Sequence, residues 1–268
     1  MDIPAQRPAV PFTVLVQTLY GPMLVNRYDI DQTNPLFKAG IAADHNEIAV
    51  LAHVLQACKP DRVVIDVGAN IGAFTFGLAP FLGSYGRLHA FEPQRLIYNM
   101  LAGSIALNSF TNVYSYNLAV GDHEGTIEVP QFDYFRPMNF GSIEFGPEQQ
   151  ESLPQIRAHD PGRFEQVELT TLDRFGWPRV DLLKIDVEGM ELEVIRGAKG
   201  TIERYRPILY VEFLKSDVAA LRQVLCGFGC EVFKVGISYL AIPREMEGPL
   251  SRVRNLPPGP VTVERISP

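Results

Sequence analysis

Val63-Val64-Ile65-Asp66-Val67-Gly68-Ala69-Asn70-Ile71-Gly72-Ala73-Phe74 is the stretch that decides the fold. Its β-branched residues run consecutively rather than alternately, as in a strand buried on both faces of a parallel sheet. Gly68 and Gly72 then let the chain turn tightly into a helix. The next apolar stretch, Arg87-Leu88-His89-Ala90-Phe91, ends at Glu92 and Pro93. A carboxylate at that strand tip can accept hydrogen bonds from both hydroxyls of a ribose. Together the two features outline a nucleoside site; the plainer alternative is a strand-turn-helix whose glycines only allow close packing.

The turn also says which nucleoside. A dinucleotide fingerprint needs Gly-x-Gly-x-x-Gly so that bare backbone can approach a pyrophosphate, and here Asn70 holds the middle place. Asp66 adds a negative charge close by, which opposes a pyrophosphate and suits a ligand with an ammonium and a sulfonium. S-adenosyl-L-methionine has that chemistry.

Outward from this turn, strands and helices alternate: strand 62–67, helix 72–82, strand 87–92, helix 94–108 and strand 112–119. The rhythm resumes with strand 180–186, helix 189–204, strand 207–213, helix 216–227 and a final pair, 230–235 and 238–242, around Gly236. The pattern predicts an α/β fold with a mostly parallel sheet, crossover helices and an antiparallel last hairpin. Upstream, Thr13–Leu19 and Met23–Arg27 read as a small hairpin, and Asp44 with Glu47 reads as a capping box opening an amphipathic helix through Leu55. Residues 125–172 break the rhythm. Phe132, Tyr134, Phe135, Phe140 and Phe145 crowd a Gly- and Pro-rich stretch that reads as a substrate lid or as an auxiliary hairpin, with alternation at Thr126–Val129 and Val167–Thr171. The tail from Pro243 to residue 268 is Pro-rich and predicted irregular.

The chain has 268 residues, 46% of them hydrophobic, which suits one domain with one large core. Its net charge of -7 offers no basic footprint, so nucleic acid is not the expected partner. Cys58, Cys226 and Cys230 lack zinc-like spacing and read as reduced core thiols. No apolar run reaches membrane-spanning length and no leader pattern precedes Tyr20, so a cytoplasmic protein without a membrane partner is expected. Oligomeric state leaves no signal in this sequence.

A second acidic motif, Asp181-Leu182-Leu183-Lys184-Ile185-Asp186-Val187-Glu188-Gly189-Met190-Glu191, sets Asp186 and Glu188 at the end of another buried strand. In an open α/β sheet ligands bind beyond the carboxyl ends of the strands, so both should face the crevice that holds Gly68 and Glu92. One can hold the cofactor's ammonium and the other can hold or deprotonate an acceptor. Alternatively, Glu188 caps the following helix and Asp186 pairs with Lys184 or Arg196.

Read in order, IDVGANIGAFTF, HAFEP, NLAVGDHEGTIEV, TTLDRF, DLLKIDVEGMELEVIRGAKGTI and PILYVEF resemble the FkbM family of S-adenosylmethionine-dependent methyltransferases over about residues 20–215. The resemblance implies a class I methyltransferase fold, Rossmann-like, with strands in the order third, second, first, fourth, fifth, seventh, sixth. It also implies methylation of a hydroxyl on a natural product or sugar. By the family pattern Asp66, Gly68, Ala69, Asn70 and Gly72 lie along the methionine part of the cofactor and Glu92 with Pro93 along the ribose. Asn117 and Ala119 lie by the adenine; Asp186 stays a cofactor-binding and catalytic candidate on its place at the strand end.

A hydroxyl is a weak nucleophile at neutral pH, so a base at the methyl-facing end is expected. Glu188 is the first candidate, Glu212 the second and His159 a third, while His89 reads as a structural histidine inside a core strand. Asp186, Glu188 and Glu212 could instead hold magnesium, which the spacing does not require. A non-catalytic cofactor-binding module and a nicotinamide oxidoreductase are the competing readings.

Overall fold

The computed structural model describes residues 10–141, 164–257 and 259–266. It begins with the hairpin β1 (Thr13–Thr18) and β2 (Gly21–Asn26), then helices α1 (Thr33–Ala39) and α2 (His45–Leu55). The alternating core follows: β3 (Val63–Val67), α3 (Ala73–Leu78), β4 (Arg87–Phe91), α4 (Arg95–Leu107) and β5 (Val113–Tyr116). Short strands β6 (Ala119–Val120), β7 (Gly125–Pro130) and β8 (Phe164–Thr170) come next, then β9 (Leu182–Ile185), α5 (Glu191–Gly197), α6 (Lys199–Tyr205) and β10 (Ile208–Glu212). The chain closes with α7 (Val218–Gly227), β11 (Cys230–Val235), β12 (Ser238–Pro243), α8 (Glu247–Arg254) and β13 (Val263–Arg265).

Eight strands form the main sheet in the order β13-β11-β12-β10-β9-β3-β4-β5. The five strands from β10 to β5 are parallel, and β12 enters antiparallel beside β10. Leaving out the edge strand β13, this is the class I methyltransferase order expected from the sequence.

Alternation along the strands sends side chains to two apolar layers. Val64, Leu88, Leu182 and Ile208 join α2, α3, α4 and α8 on one face; Ile65, Leu183, Ile185 and Leu209 join α5, α6 and α7 on the other. All five β3 residues are buried. Each Val or Ile buried there stabilises by about 1.5–3 kcal/mol, so Ile65→Asp would remove that and strand a charge. Helix α4 shows how a face is chosen: Ile97, Met100, Leu101, Ser104 and Ile105 recur at helical spacing and are its buried residues. The hairpin docks on this helix, Leu24 N donating to Ser104 Oγ at 2.8 Å and Asn108 Nδ2 to the Pro22 carbonyl at 2.8 Å.

Three expectations change, and one open alternative is decided. The strand expected over 112–119 stops at Tyr116, and Ala119–Val120 belongs to a separate three-stranded sheet, β6-β8-β7. The helix expected over 189–204 breaks at Ala198, because the Asp173 carboxylate accepts the N–H groups of Gly200 and Thr201 and so starts a new helix. The tail beyond Pro243 is ordered as α8 and β13, with Arg254 and Arg265 both paired to Glu231 on β11. In the inserted region, β7 and β8 form the auxiliary hairpin. Its aromatic residues mostly pack: Tyr134 and Phe140 are buried and stacked at 4.9 Å, and Phe12 lies 5.7 Å from Tyr134. Phe145 and the polar run to Asp160, with His159, lie outside the described residues. Cys58, Cys226 and Cys230 are free thiols, the first and last buried and Cys226 half-buried.

Candidate active site

The register of the parallel strands sets their carboxyl ends level. Val67 is paired to Phe91 on one side and Ile185 on the other, and Ile185 is paired to Val211. Gly68, Glu92, Asp186 and Glu212 therefore emerge side by side. Gly68 has φ +74, and a Cβ on it would overlap the Asp186 carbonyl oxygen. Only glycine meets both demands. Asn70 holds φ +51, a conformation this residue type tolerates, with its Oδ1 accepting from Ile71 N at 2.8 Å.

Beneath the turn lies a buried ion network. Lys184 Nζ donates to the Gly68 carbonyl at 2.7 Å and sits 3.1 Å from Asp66 Oδ1 and 3.3 Å from Asp186 Oδ2. Thr75 Oγ1 donates to Asp66 Oδ2 at 2.6 Å. Burial alone would lower the lysine's pKa, but Asp66 and Asp186 outweigh it and the net shift is upward. The two carboxylates thus favour the charged form of Lys184. This corrects the expectation for Asp66, whose charge is turned inward to Lys184 and which does not line the cavity. Asp186 pairs with Lys184 as the alternative reading had it, while Arg196 pairs with Asp122 and Glu193.

A cavity of about 390 Å³ opens above the strand ends. At one end stand Glu92, Pro93, Gln94, Leu118, Ala119 and Val120, over β3, β4 and the chain after β5. Glu92 is 4% exposed. Its Oε2 accepts from Asn70 N at 2.9 Å and its Oε1 from Gln94 N at 2.8 Å. Burial pushes its pKa up to about 7 against the pull of those two N–H groups. Each oxygen keeps a lone pair for a further donor. Asn117 does not line the cavity; its Nδ2 donates to the Glu92 and Pro93 carbonyls, both at 2.9 Å, and so fixes the backbone that carries Glu92. Ala69 and Gly72 shape the turn without lining it, whereas Gly68 and Asn70 line the middle.

At the other end stand Asp44, Glu47, Asp186, Glu188, Tyr210 and Glu212. One oxygen each of Asp186, Glu188 and Glu212 lies within 4.8 Å of the others. Glu188 has φ +57 and pairs with Lys215 Nζ at 2.7 Å. Burial, then the Asp186 charge, pushes its pKa up to about 7. It does not cap α5: the fully buried Glu191 takes the Val187 and Gly189 N–H groups, both at 3.1 Å. Glu212 is 8% exposed and its Oε2 has no hydrogen-bond partner among the described residues. Burial, with Asp186 and Glu188 adding to it, pushes Glu212 up to about 9. The expected capping box is absent too. Asp44 makes no side-chain cap bond, and both it and Glu47 turn to the cavity, where burial followed by Asp186 pushes Asp44 up to about 6. His89 is structural, stacked between Tyr114 and Tyr116.

These features can be tested against the expected cofactor. Glu92 offers a vicinal diol two acceptors, and Gln94 Oε1 is a buried acceptor without a partner on the same wall. No lysine or arginine is among the described residues that line the cavity, which suits a nucleoside without phosphate. The residues fit S-adenosylmethionine. Sequence reading missed Gln94, Lys215 and the contacts of Lys184 with Asp66 and the Gly68 carbonyl. Only Lys184 carried a signal, as a charged residue inside an apolar strand.

The chain is 30% identical over 158 residues to Methyltransferase sdnD of Sordaria araneosa, an alignment spanning 50% of this chain and 59% of that protein, less than two thirds of its length. It is 23% identical over 177 residues to Methyltransferase 1 of Beauveria bassiana, across 61% of this chain and 70% of that one. Among solved structures, the methyltransferase FkbM of Methylobacillus flagellatus is similar with a TM-score of 0.47 and 16% identity, over 68% of this chain and 43% of that chain. No helix among the described residues is long and apolar enough to cross a membrane. The model of the methyltransferase FkbM domain matches residues 66–232, well over half of the chain, and the chain belongs to that family.

Proposed function

We propose that this protein is an S-adenosylmethionine-dependent O-methyltransferase that acts on a hydroxyl of a small molecule, natural product or sugar. The observation that carries the reading is the level placement of Glu92, the Gly68–Asn70 turn, and the Asp186, Glu188 and Glu212 carboxylates around one cavity. When bound, S-adenosylmethionine supplies a methyl group on a positively charged sulfur, which keeps the carbon–sulfur electron pair as the acceptor oxygen takes the methyl.

The residues do the rest. Glu92 and Gln94 hold the nucleoside, and Gly68 lets the ligand approach bare backbone. Glu188, with a pKa near 7, is partly ionised at neutral pH and can take the acceptor's proton. Glu212 stands beside Glu188 and Asp186 in the same wall of the cavity. Positioning of this kind supplies several kcal/mol of barrier reduction, up to roughly 7–11 for well-oriented groups.

Calorimetry with S-adenosylhomocysteine and NAD, followed by a labelled-methyl screen over sugars and polyketides, tests the reading. Binding of S-adenosylhomocysteine with transfer to an oxygen is expected. NAD binding without S-adenosylhomocysteine binding would support the oxidoreductase instead. Cofactor binding with no acceptor turned over would support the non-catalytic module.

A further inference from the structure

The acceptor end of the cavity gathers far more carboxyl groups than methyl transfer to a neutral hydroxyl needs. Asp44, Glu47, Asp186, Glu188 and Glu212 converge there. Lys184 and Lys215 take Asp186 and Glu188, and Lys184 is shared with Asp66. Asp44, Glu47 and Glu212 have no ion-pair partner among the described residues. Glu212 Oε2 is buried in the cavity wall without a donor among the described residues, an acceptor left open by them. S-adenosylmethionine, with an ammonium, a sulfonium and a carboxylate, brings a net charge of only plus one. Burying that many like charges is unfavourable unless a ligand cation joins them.

The rim above these carboxylates is apolar. Leu214 and Ile237 line the cavity while remaining 59% and 47% exposed, and Phe74 and Tyr210 line its wall with ring centroids 5.8 Å apart. Resting on the function proposed above, we infer that the acceptor is a hydroxylated amine: a protonated amino group anchored by Asp44, Glu47 and Glu212, on an apolar body held by Leu214 and Ile237.

The same carboxylates keep that amine protonated and without a free electron pair. The amine is therefore the anchor, and the methyl goes to oxygen. A divalent metal is a poorer occupant. It would have to share Asp186 and Glu188 with two lysine ammonium groups.

The test is calorimetry on the full chain. Binding of S-adenosylhomocysteine is measured first, and its absence would remove the function reading rather than this one. The loaded protein is then titrated with three six-carbon probes, each with a terminal hydroxyl and, at the other end, an ammonium, a hydroxyl or a carboxylate. The ammonium probe should bind at least about tenfold tighter than the diol, the equivalent of about 1.4 kcal/mol, and the carboxylate probe should give no heat. The preference should shrink to less than about threefold in D44N/E47Q protein that still binds S-adenosylhomocysteine. Equal or better binding of the diol or the carboxylate probe, or no binding of any probe, overturns the inference. So does magnesium chloride, if it binds and displaces the ammonium probe, since the cation would then be a metal.

Discussion

Replacing Lys184 by methionine keeps roughly the length and apolar volume of the side chain and removes only its charge and donors. Three contacts go: 2.7 Å to the Gly68 carbonyl, 3.1 Å to Asp66 and 3.3 Å to Asp186. The two carboxylates do not suffer equally. Asp186 has a side chain 35% exposed and can recruit water, whereas that of Asp66 is 1% exposed and retains only the Thr75 hydroxyl. The cost therefore concentrates on one stranded buried charge, about 3–5 kcal/mol by the behaviour of broken buried pairs. The lost bond to Gly68 is contained in that figure rather than added, because the contacts share one donor. Urea unfolding followed by circular dichroism should show the midpoint falling with the slope unchanged. Asp66→Asn in the same background should recover more than half the loss, because an amide there strands no charge. A K184M protein within about 1 kcal/mol of the parent, or a double variant no better than K184M, would refute the claim that Lys184 neutralises the floor of the site.

Three further outcomes follow from the same geometry. E188Q should lower kcat by about 10²–10⁴-fold with S-adenosylhomocysteine affinity retained, and the rise of kcat as pH passes about 7 in the parent should vanish; an unchanged rate removes Glu188 as the base. G176A, at φ +58 with open space around it, should cost about 1–2 kcal/mol, while G68A, at φ +74 and overlapping the Asp186 carbonyl, should cost clearly more and abolish S-adenosylhomocysteine binding; equal thermal shifts in the two would contradict the close approach. Burial, with Arg87 adding to it, holds His89 down to about 4 from an ordinary 6.5, so the unfolded chain takes up a proton that the folded one refuses and stability falls as pH drops through that window; H89F should lose less on acidification than the parent, and parallel urea midpoints at both pH values would count against it.

The parts of this fold legible in the sequence are those specified locally. β3, β9 and β10 are short apolar runs ended by glycine or a carboxylate, and α4 has an unbroken helical stripe. What sequence reading missed is specified at long range. β13 is three residues long, and its place at the sheet edge depends on backbone pairing to β11 and on Arg265 meeting Glu231. Helix 189–204 breaks because Asp173, far back in the chain, supplies a cap. In the site, Glu92, Glu188 and Glu212 were legible as strand-tip carboxylates, but their surroundings were not. Asp66 looks like a ligand contact until Lys184, more than a hundred positions away, is seen to claim it. Asp44 and Glu47 match a capping box in spacing, yet the cavity beside them decides where they turn.

That last reversal points to how the molecule distributes its unfavourable features. Asn70 and Glu188, two of the described non-glycine residues with positive φ, both sit at the strand tips, as do the unpartnered Glu212 oxygen and two carboxylates whose ionisation is suppressed, Glu188 and Glu212. Strain and unpaired charge persist only where the surroundings over-determine them. Here the surroundings are strands β3, β9 and β10, whose residues are all buried, with helices on both faces. The rigid sheet cannot relax to separate Asp186 from Glu212, because Ile185 and Val211 are locked in register one residue below. A cation arriving in the cavity therefore gains attraction that the protein cannot satisfy internally. The carboxylates that the fold holds at a cost are then the ones placed to meet it.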